Sequence, residues 1–201
     1  ANLASVNFQD ASLHDTDLSN ADLTDAFMGG THLTRSTLAG ANLENVDMTL
    51  AHLTGVRSGG ITGVPYELPQ DWKLVEGYLV GPGANLNSAA LTDANLTNAN
   101  LNDAILTDAY MWGANLTHST LKSATLTGGN LTNANLTNAE LQFANLTNTN
   151  LFGADLSNAD LTGASLASST LTGVTGSAKY NSATMLPAGF DPVAAGWTLV
   201  S

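Results

Sequence analysis

The sequence predicts an all-β protein whose chain winds into a four-sided coil with twenty residues in each turn. The first observation is a large apolar residue, nearly always Leu, at every fifth position from residue 3 to 53 and from 86 to 171. The second is a smaller residue, most often Ala, two positions before each of them. The third is that the remaining positions are mostly Asn, Asp, Thr, Ser or Gly. The members of the series other than Leu are Phe8, Met28, Met48 and Met111.

A spacing of five matches neither the alternation of a β-strand nor the turn of an α-helix. If five residues form one side of a square coil, the large residue and its small companion both point inward. Equivalent residues in neighbouring turns then stack at about the 4.7–4.9 Å spacing of paired strands. Ala suits the companion position because two large side chains on every side would overfill the interior. The predicted core includes Phe8, Met28, Met48, Leu96, Met111, Leu136 and Leu161.

The repeated pattern A-[N/D]-L-x-x resembles the pentapeptide-repeat family. Clear copies are ANLTN at residues 94–98 and 134–138 and ADLTG at residues 159–163. The two series hold eleven and eighteen units, which together cover 145 residues. The resemblance implies the fold of that family, a right-handed quadrilateral β-helix. At four units per turn this pentapeptide-repeat solenoid is expected to have about seven coils.

One interruption breaks the repeat between Leu53 and Leu86, which are 33 residues apart, not a multiple of five. Two short apolar runs inside it flank Glu76-Gly77 and are bounded by Pro and Gly, a pattern typical of a β-hairpin. We expect this hairpin to project from the coil or to fold flat against one face. Trp72 and Tyr78 are accordingly either packing residues on the coil wall or contacts for a partner protein.

The pattern ends after Leu171, and a C-terminal cap is predicted there. An open coil end exposes backbone groups and apolar side chains unless something covers it, and Phe190 and Trp197 are the residues expected to do so. The predicted organisation is a first repeat block at 1–55, an insertion at 56–83, a second block at 84–175 and the cap at 176–201. All four belong to one structural domain.

No such cap is visible before Ala1, where the chain begins inside a repeat and without an initiator Met. We expect that an upstream segment has been removed, and that this end is covered by that segment or used for association. The chain is therefore predicted to be a monomer or a homodimer through an open solenoid end. The absence of Cys and the trimmed start fit a periplasmic or thylakoid-lumenal protein, which we favour, as well as a cytoplasmic one.

Composition excludes several classes of function. Seventeen Asp and Glu residues against five Lys and Arg give a net charge of −12, which argues against binding nucleic acid or an anionic membrane surface. No apolar run approaches the roughly 20 residues of a membrane span. Without Cys there is no thiolate metal site, and no cofactor is expected. Carboxylate pairs such as Asp15 and Asp17 lie in outward positions without a cleft, so no enzymatic activity is predicted.

Three histidines fall on one predicted face. His32 and His52 occupy the same position one turn apart, and His14 lies beside them. Imidazoles that converge on one wall can bind Zn²⁺ or a similar ion, which makes His14, His32 and His52 candidates for a metal site. The alternative, which we favour, is chance proximity on a solvated surface.

Three aromatic residues of the second block, Tyr110, Trp112 and Phe152, occupy outward positions. Trp112 and Phe152 share one position two turns apart. Such a patch on a polar surface is a candidate contact site for a partner, whereas scattered single apolar residues are ordinary. Both interpretations are retained.

Two functional hypotheses follow. The first is a non-catalytic structural or protein-interaction scaffold that presents flat faces and an aromatic hairpin to an unknown protein partner. The resemblance implies this class, because such members of the family are abundant in photosynthetic bacteria. The alternative, implied by the resemblance, is a DNA mimic that inhibits or protects a type II topoisomerase (gyrase), because such family members are acidic rods that occupy the enzyme's DNA-binding saddle. Duplex DNA carries one charge per about 1.7 Å. The second block falls far short of that density, so the scaffold is the prediction.

Overall fold

The structure, a computed structural model, describes all residues from 1 to 201 and contains no helix. It therefore has no helix with the length and hydrophobicity needed to span a membrane. The chain forms two compact units, a first unit of Ala1–Leu86 and a second unit of Asn87–Ser201.

In both units the chain coils with a period of twenty residues. Along the regular repeats, the residue before the large apolar residue pairs in parallel with the residue twenty positions further on, as Asp22 does with Asn42 and Asn95 with Asn115. Backbone hydrogen bonds join one turn to the next: the Leu23 N–H donates to the Asn42 carbonyl at 3.0 Å. Each five-residue unit is thus one side of a four-sided β-helical turn, as the spacing predicted.

The large apolar residues and their small companions form the interior of each unit. The predicted core residues Met28, Met48, Leu96, Met111, Leu136 and Leu161 are completely buried. Phe8 is only partly buried, although it packs against the core of the first unit.

Hydroxyl groups replace Ala at some companion positions without leaving an unsatisfied donor. The buried Ser119 hydroxyl donates to the Leu116 carbonyl at 2.7 Å, and the buried Thr149 hydroxyl donates to the Leu126 carbonyl at 2.9 Å. The interior therefore accepts these small polar residues because their hydrogen bonds are made inside it.

Each corner of the coil is a tight turn in which the residue two after the large apolar residue has a positive φ. The φ is 54° at Asp93 and 56° at Asn98. Gly, Asn and Asp tolerate this left-handed conformation, whereas other residues pay about 1–2 kcal/mol for it. Leu50, with φ 58°, and Phe143, with φ 61°, occupy the same position, so both carry local backbone strain.

The Asn or Asp before the large apolar residue closes each side of the coil. Its side-chain oxygen accepts the backbone N–H two residues on, as Asn115 does from Thr117 at 3.1 Å and Asp155 does from Ser157 at 2.9 Å. Asn and Asp favour this local bond because their short side chains reach their own backbone. The bond explains the Asn or Asp in the second position of the repeat.

Hydrogen bonds to the Asp carboxylates in this position make the stability of the fold depend on pH in the acid range. The pKa of Asp155 is lowered first by the Ser157 hydroxyl, at 2.6 Å, and then by the Ser157 N–H. A carboxyl whose pKa is lower in the folded chain stabilises the fold above its unfolded pKa. That contribution is lost as the pH falls through the folded pKa. We expect the free energy of unfolding to fall as the pH drops below about 4.

A pair of reciprocal variants isolates this effect. Asp155→Asn keeps an acceptor for the Ser157 N–H but cannot titrate, so it is expected to lose less stability than the parent between about pH 5 and 3. Asn145 accepts the Thr147 N–H at 3.1 Å in the equivalent position, and Asn145→Asp is expected to lose more. Urea titrations at each pH measure both. Three parallel curves would contradict the assignment.

The interruption of the repeat is a β-hairpin of β1 (Lys73–Val75) and β2 (Tyr78–Val80), which pair antiparallel with Leu74 opposite Leu79. Glu76 and Gly77 connect the strands, and both have positive φ, 48° and 74°, as a type I′ turn requires. The pairing between turns then resumes with Arg57 and Asn85, which are 28 residues apart where the repeat has twenty.

The hairpin folds flat against the first unit. Leu79 and Val80 are completely buried. The Tyr78 ring lies against Gly59, where an added Cβ would be 2.9 Å from it, and Trp72 packs against the apolar core of the first unit. Of the two orientations predicted for the hairpin, the structure therefore has the packed one.

The last residues of the second unit form a short parallel pair, β3 (Lys179–Tyr180) and β4 (Thr198–Leu199). Lys179 also pairs with Asp160, so β4 continues the ladder beyond β3. Trp197 is 5% exposed, and its ring centroid lies 4.9 Å from that of Phe190 and 6.4 Å from that of Tyr180.

Candidate interaction surfaces

One face of the second unit presents Tyr110, Trp112 and Phe152 to solvent. Their exposed fractions are 57%, 44% and 50%. Tyr110 and Trp112 flank the buried Met111 on the same side of one turn, because alternate residues along an extended segment point the same way. This set of three residues is named the aromatic face.

The turns of the coil fix the spacing of the aromatic face. Gly113 donates its N–H to Thr132, and Asn133 donates to Phe152, so Phe152 lies two turns beyond Trp112 in the same register. At the spacing of paired strands this separation is about 9–10 Å. Thr132 lies between Trp112 and Phe152, in the turn that separates them. Asn130 lies in the same turn and pairs with Tyr110 of the turn before. The face therefore combines three separated apolar groups with small polar ones on a hydrogen-bonded backbone.

Trp72 and Tyr78, the other predicted contact residues, are half-buried within the first unit. Trp72 packs against the apolar core as well as Gly81. Tyr78 packs on Gly59. Both side chains contribute to the stability of the hairpin, and their contact with a partner stays a prediction.

The histidines form a stack. The rings of His32 and His52 are 4.4 Å apart and nearly parallel, and those of His14 and His32 are 5.4 Å apart and tilted by 43°. Ring nitrogens bind metal through lone pairs in the ring plane. Stacked rings direct these lone pairs alongside one another rather than towards one point. No group of three or more His, Cys, Asp or Glu side chains in the chain is arranged to hold a metal ion.

Two acidic side chains of the second unit, Glu140 and Asp160, are engaged with neighbours beside a cavity. An open cavity of about 390 Å³ is lined by Glu140, Gln142, Asp160 and Lys179 among others. Glu140 pairs with Lys122 at 2.6 Å, and Asp160 accepts from Gln142 at 2.8 Å. Burial favours a higher pKa for Asp160, but the hydrogen bonds from Thr162 and Gln142 outweigh it and lower the pKa. A carboxylate in this state is a poor proton acceptor at neutral pH.

Sequence reasoning missed a second apolar surface, in the first unit. Leu50 and Tyr66 are each 77% exposed, and Val64 and Phe27 are also exposed. Leu50 carried a recognisable signal, because it occupies a corner position that otherwise takes mostly Gly, Asn, Asp or Ser. Tyr66 lies in the interruption, where the repeat gives no register for placing a side chain.

A family model for pentapeptide repeats matches the chain in eight copies, over residues 1–38, 16–55, 84–122, 114–151 and 149–175. The chain belongs to the pentapeptide-repeat family. The matched residues stop at 55 and resume at 84, on either side of the hairpin.

Several solved structures are similar to this chain. A pentapeptide repeat protein from Nostoc PCC 7120 is 35% identical over 50% of this chain and 84% of its own, with a TM-score of 0.49. Rfr23 from the cyanobacterium Cyanothece 51142 is 27% identical over 75% and 90%, with a TM-score of 0.46. A pentapeptide repeat protein from the Arabidopsis thaliana thylakoid lumen is 26% identical over 50% and 68%, with a TM-score of 0.40. No curated protein matches the chain significantly.

Proposed function

We propose that this protein is a non-catalytic interaction scaffold whose second unit binds a protein partner through the aromatic face. The observation that carries the proposal is the exposure of Tyr110, Trp112 and Phe152 on one face of the second unit, beside small polar residues such as Asn130 and Thr132. Tyr and Trp are the residues that most often dominate the energy of protein interfaces. Three apolar groups in fixed register give such an interface its anchors.

Rigidity of the backbone supports this role. Every turn of the second unit donates and accepts hydrogen bonds with the next, and the inner Leu side chains are completely buried. A surface held in this way loses little conformational entropy when a partner binds, which favours affinity.

The C-terminal residues contribute by covering one end of the second unit. Trp197 is buried against Phe190 and Tyr180, and β4 extends the ladder beyond β3. We infer that this segment protects the coil end from edge-to-edge association. The unit is then free to present its sides rather than its end to a partner.

The gyrase-mimic alternative receives less support from the placement of charge. The second unit has seven carboxylates and two Lys residues in 115 positions, and Glu140 is paired with Lys122. A surrogate for duplex DNA requires a far denser line of negative charge. A supercoiling assay separates the hypotheses: a scaffold of the proposed kind leaves gyrase activity unchanged, whereas a mimic inhibits it or protects it.

The test of the proposal removes the anchors of the aromatic face. The double variant Trp112→Ser and Phe152→Ser is expected to lose at least tenfold of its capture of partner proteins from lysates of cells that express the chain, because each exposed aromatic anchor contributes about 1–2 kcal/mol or more. Quantitative mass spectrometry of the captured proteins measures the loss.

A matched control changes two half-buried polar residues on a different side of the second unit, Thr117→Ser and Thr137→Ser. This control is expected to capture the same proteins as the parent. Equal capture by both double variants, with unaltered unfolding curves, would refute the assignment of the aromatic face.

A further inference from the structure

The first unit has an open groove of about 760 Å³ between one corner of the coil and the segment that leads into the hairpin. Leu50, Tyr66 and Trp72 provide its apolar and aromatic walls, with Pro69 beside them. Two carboxylates, Glu67 and Asp71, also line it. This set of six residues is named the unit 1 groove. It lies outside the residues matched by the repeat family, except for Leu50.

Leu50 is unfavourably placed on two independent counts. It has a positive φ of 58°, which a bulky residue adopts only with strain. Its side chain is 77% exposed, although the equivalent corner position elsewhere takes polar residues or Gly, with Phe143 as the other bulky apolar exception. Strain and exposure of this kind concentrate at binding sites, where the surroundings enforce them. Tyr66, equally exposed, stands on the same groove.

The negative charge of the unit 1 groove favours a basic ligand. Glu67 and Asp71 line it, and no Lys, Arg or His does. The backbone of Asp47 pairs with that of Glu67 in the neighbouring turn, so the Asp47 side chain adds a third carboxylate to this side. The first unit as a whole has ten carboxylates against three Lys and Arg residues. Basic side chains of a ligand would therefore find complementary charge at the groove and in its surroundings.

The aromatic walls of the groove favour a ligand with an extended, proline-containing backbone. Grooves lined by aromatic side chains bind proline-containing segments, because a polyproline II helix is already extended and loses little entropy on binding. Lys and Arg flanking such a segment can also lie over the Tyr66 and Trp72 rings. A second copy of this chain does not match, because its five Lys and Arg residues are widely separated in sequence.

We propose that the unit 1 groove binds a basic, proline-containing segment of a partner protein in an extended conformation. This contact rests on the scaffold function proposed above and adds a second binding surface to it. The aromatic and apolar walls hold the proline-containing core of the segment, and Glu67 and Asp71 pair with its basic residues.

The full chain is tested with a phage-displayed library of random peptides of about twelve residues, with the Tyr66→Ser variant as the counter-target. Peptides that contain Pro and at least two Lys or Arg residues are expected to be enriched on the parent and not on the variant. Tyr66 is 77% exposed, so its replacement is expected to leave the unfolding curve unchanged.

Binding of one enriched peptide is then measured by fluorescence anisotropy. Tyr66→Ser and the double charge reversal Glu67→Lys and Asp71→Lys are each expected to weaken binding roughly tenfold or more. Raising NaCl from about 50 to 300 mM is expected to weaken it severalfold, because salt screens exposed charges.

Leu50→Asn separates binding from folding. It removes an apolar wall and places a residue that tolerates positive φ at this corner. It is therefore expected to weaken the peptide severalfold while the midpoint of urea unfolding rises. Loss of binding through misfolding would lower that midpoint instead.

Three outcomes overturn the proposal: no enrichment of any peptide, enrichment of peptides without basic residues, or equal binding to the parent and to Tyr66→Ser. The double variant of the aromatic face, Trp112→Ser and Phe152→Ser, is expected to bind the peptide normally. A failure of the groove therefore leaves the aromatic face untouched, and a failure of the aromatic face leaves the groove untouched.

Discussion

Replacing Leu136 with Ala is expected to lower the free energy of unfolding of the second unit by about 3–5 kcal/mol, the range for large-to-small changes in a rigid core. Leu136 is completely buried in the inner column. Its turn is hydrogen-bonded to both neighbouring turns. The Leu116 N–H donates to the Asn135 carbonyl at 2.7 Å, and the Leu136 N–H donates to the Asp155 carbonyl at 2.8 Å. These bonds fix the spacing between neighbouring turns, so the cavity left by the Ala side chain cannot collapse. The loss of stability is therefore expected near the upper end of that range.

Urea unfolding followed by circular dichroism measures this loss. Leu199→Ala is the matched control, since it makes the same change at a residue that is 65% exposed in the same unit. Its effect is expected to stay within about 0.5 kcal/mol. Similar losses in the two variants would show that the Leu column is not the core of the unit.

Replacing Gly63 with Ala is expected to destabilise the first unit by about 3 kcal/mol or more. Gly63 has a φ of 74°, and an added Cβ would be 2.5 Å from the Glu44 nitrogen and 2.8 Å from the Glu44 Cα. Part of the loss is the left-handed conformation itself, at about 1 kcal/mol. The remainder arises because backbone atoms of the adjacent turn, rather than a flexible side chain, must move.

Gly60→Ala tests the two contributions separately. Gly60 also has a positive φ, 64°, but the nearest atom to an added Cβ is the Gly40 Cα at 4.0 Å. This variant is expected to lose only about 1 kcal/mol. Urea unfolding followed by circular dichroism measures both variants. If Gly63→Ala lost no more stability than Gly60→Ala, the close approach of Gly63 to Glu44 would be refuted.

The regular part of the fold could be predicted because the five residues of each repeat are enough to specify its conformation and its buried side chains. A Leu at every fifth position with Ala two before it specifies which side chains are inside, and Leu96, Leu136 and Leu161 are buried as expected. The exposure of Tyr110, Trp112 and Phe152 followed from the same register. These side chains needed no knowledge of distant contacts, because their neighbours are copies of the same unit.

Prediction was weaker where the repeat gives no register. The sequence indicated a hairpin at Glu76-Gly77, but its orientation depended on whether Trp72 and Tyr78 found a surface. The coil supplies that surface: Gly59 receives the Tyr78 ring, and the apolar core of the first unit receives Trp72. The role of the histidines was also undecided, since proximity on one face does not reveal whether three rings converge or stack.

The amino-acid sequence by itself determined the inward Leu column, its Ala companions and the polar exterior. A five-residue period repeats the same local hydrogen bonds and burial at every side, so local pattern and tertiary packing coincide. Only the tertiary structure decided the packing of the hairpin and the groove formed by Leu50, Tyr66 and Trp72. Those features join residues that the repeat does not relate, and their contacts depend on which surfaces meet once the chain has folded.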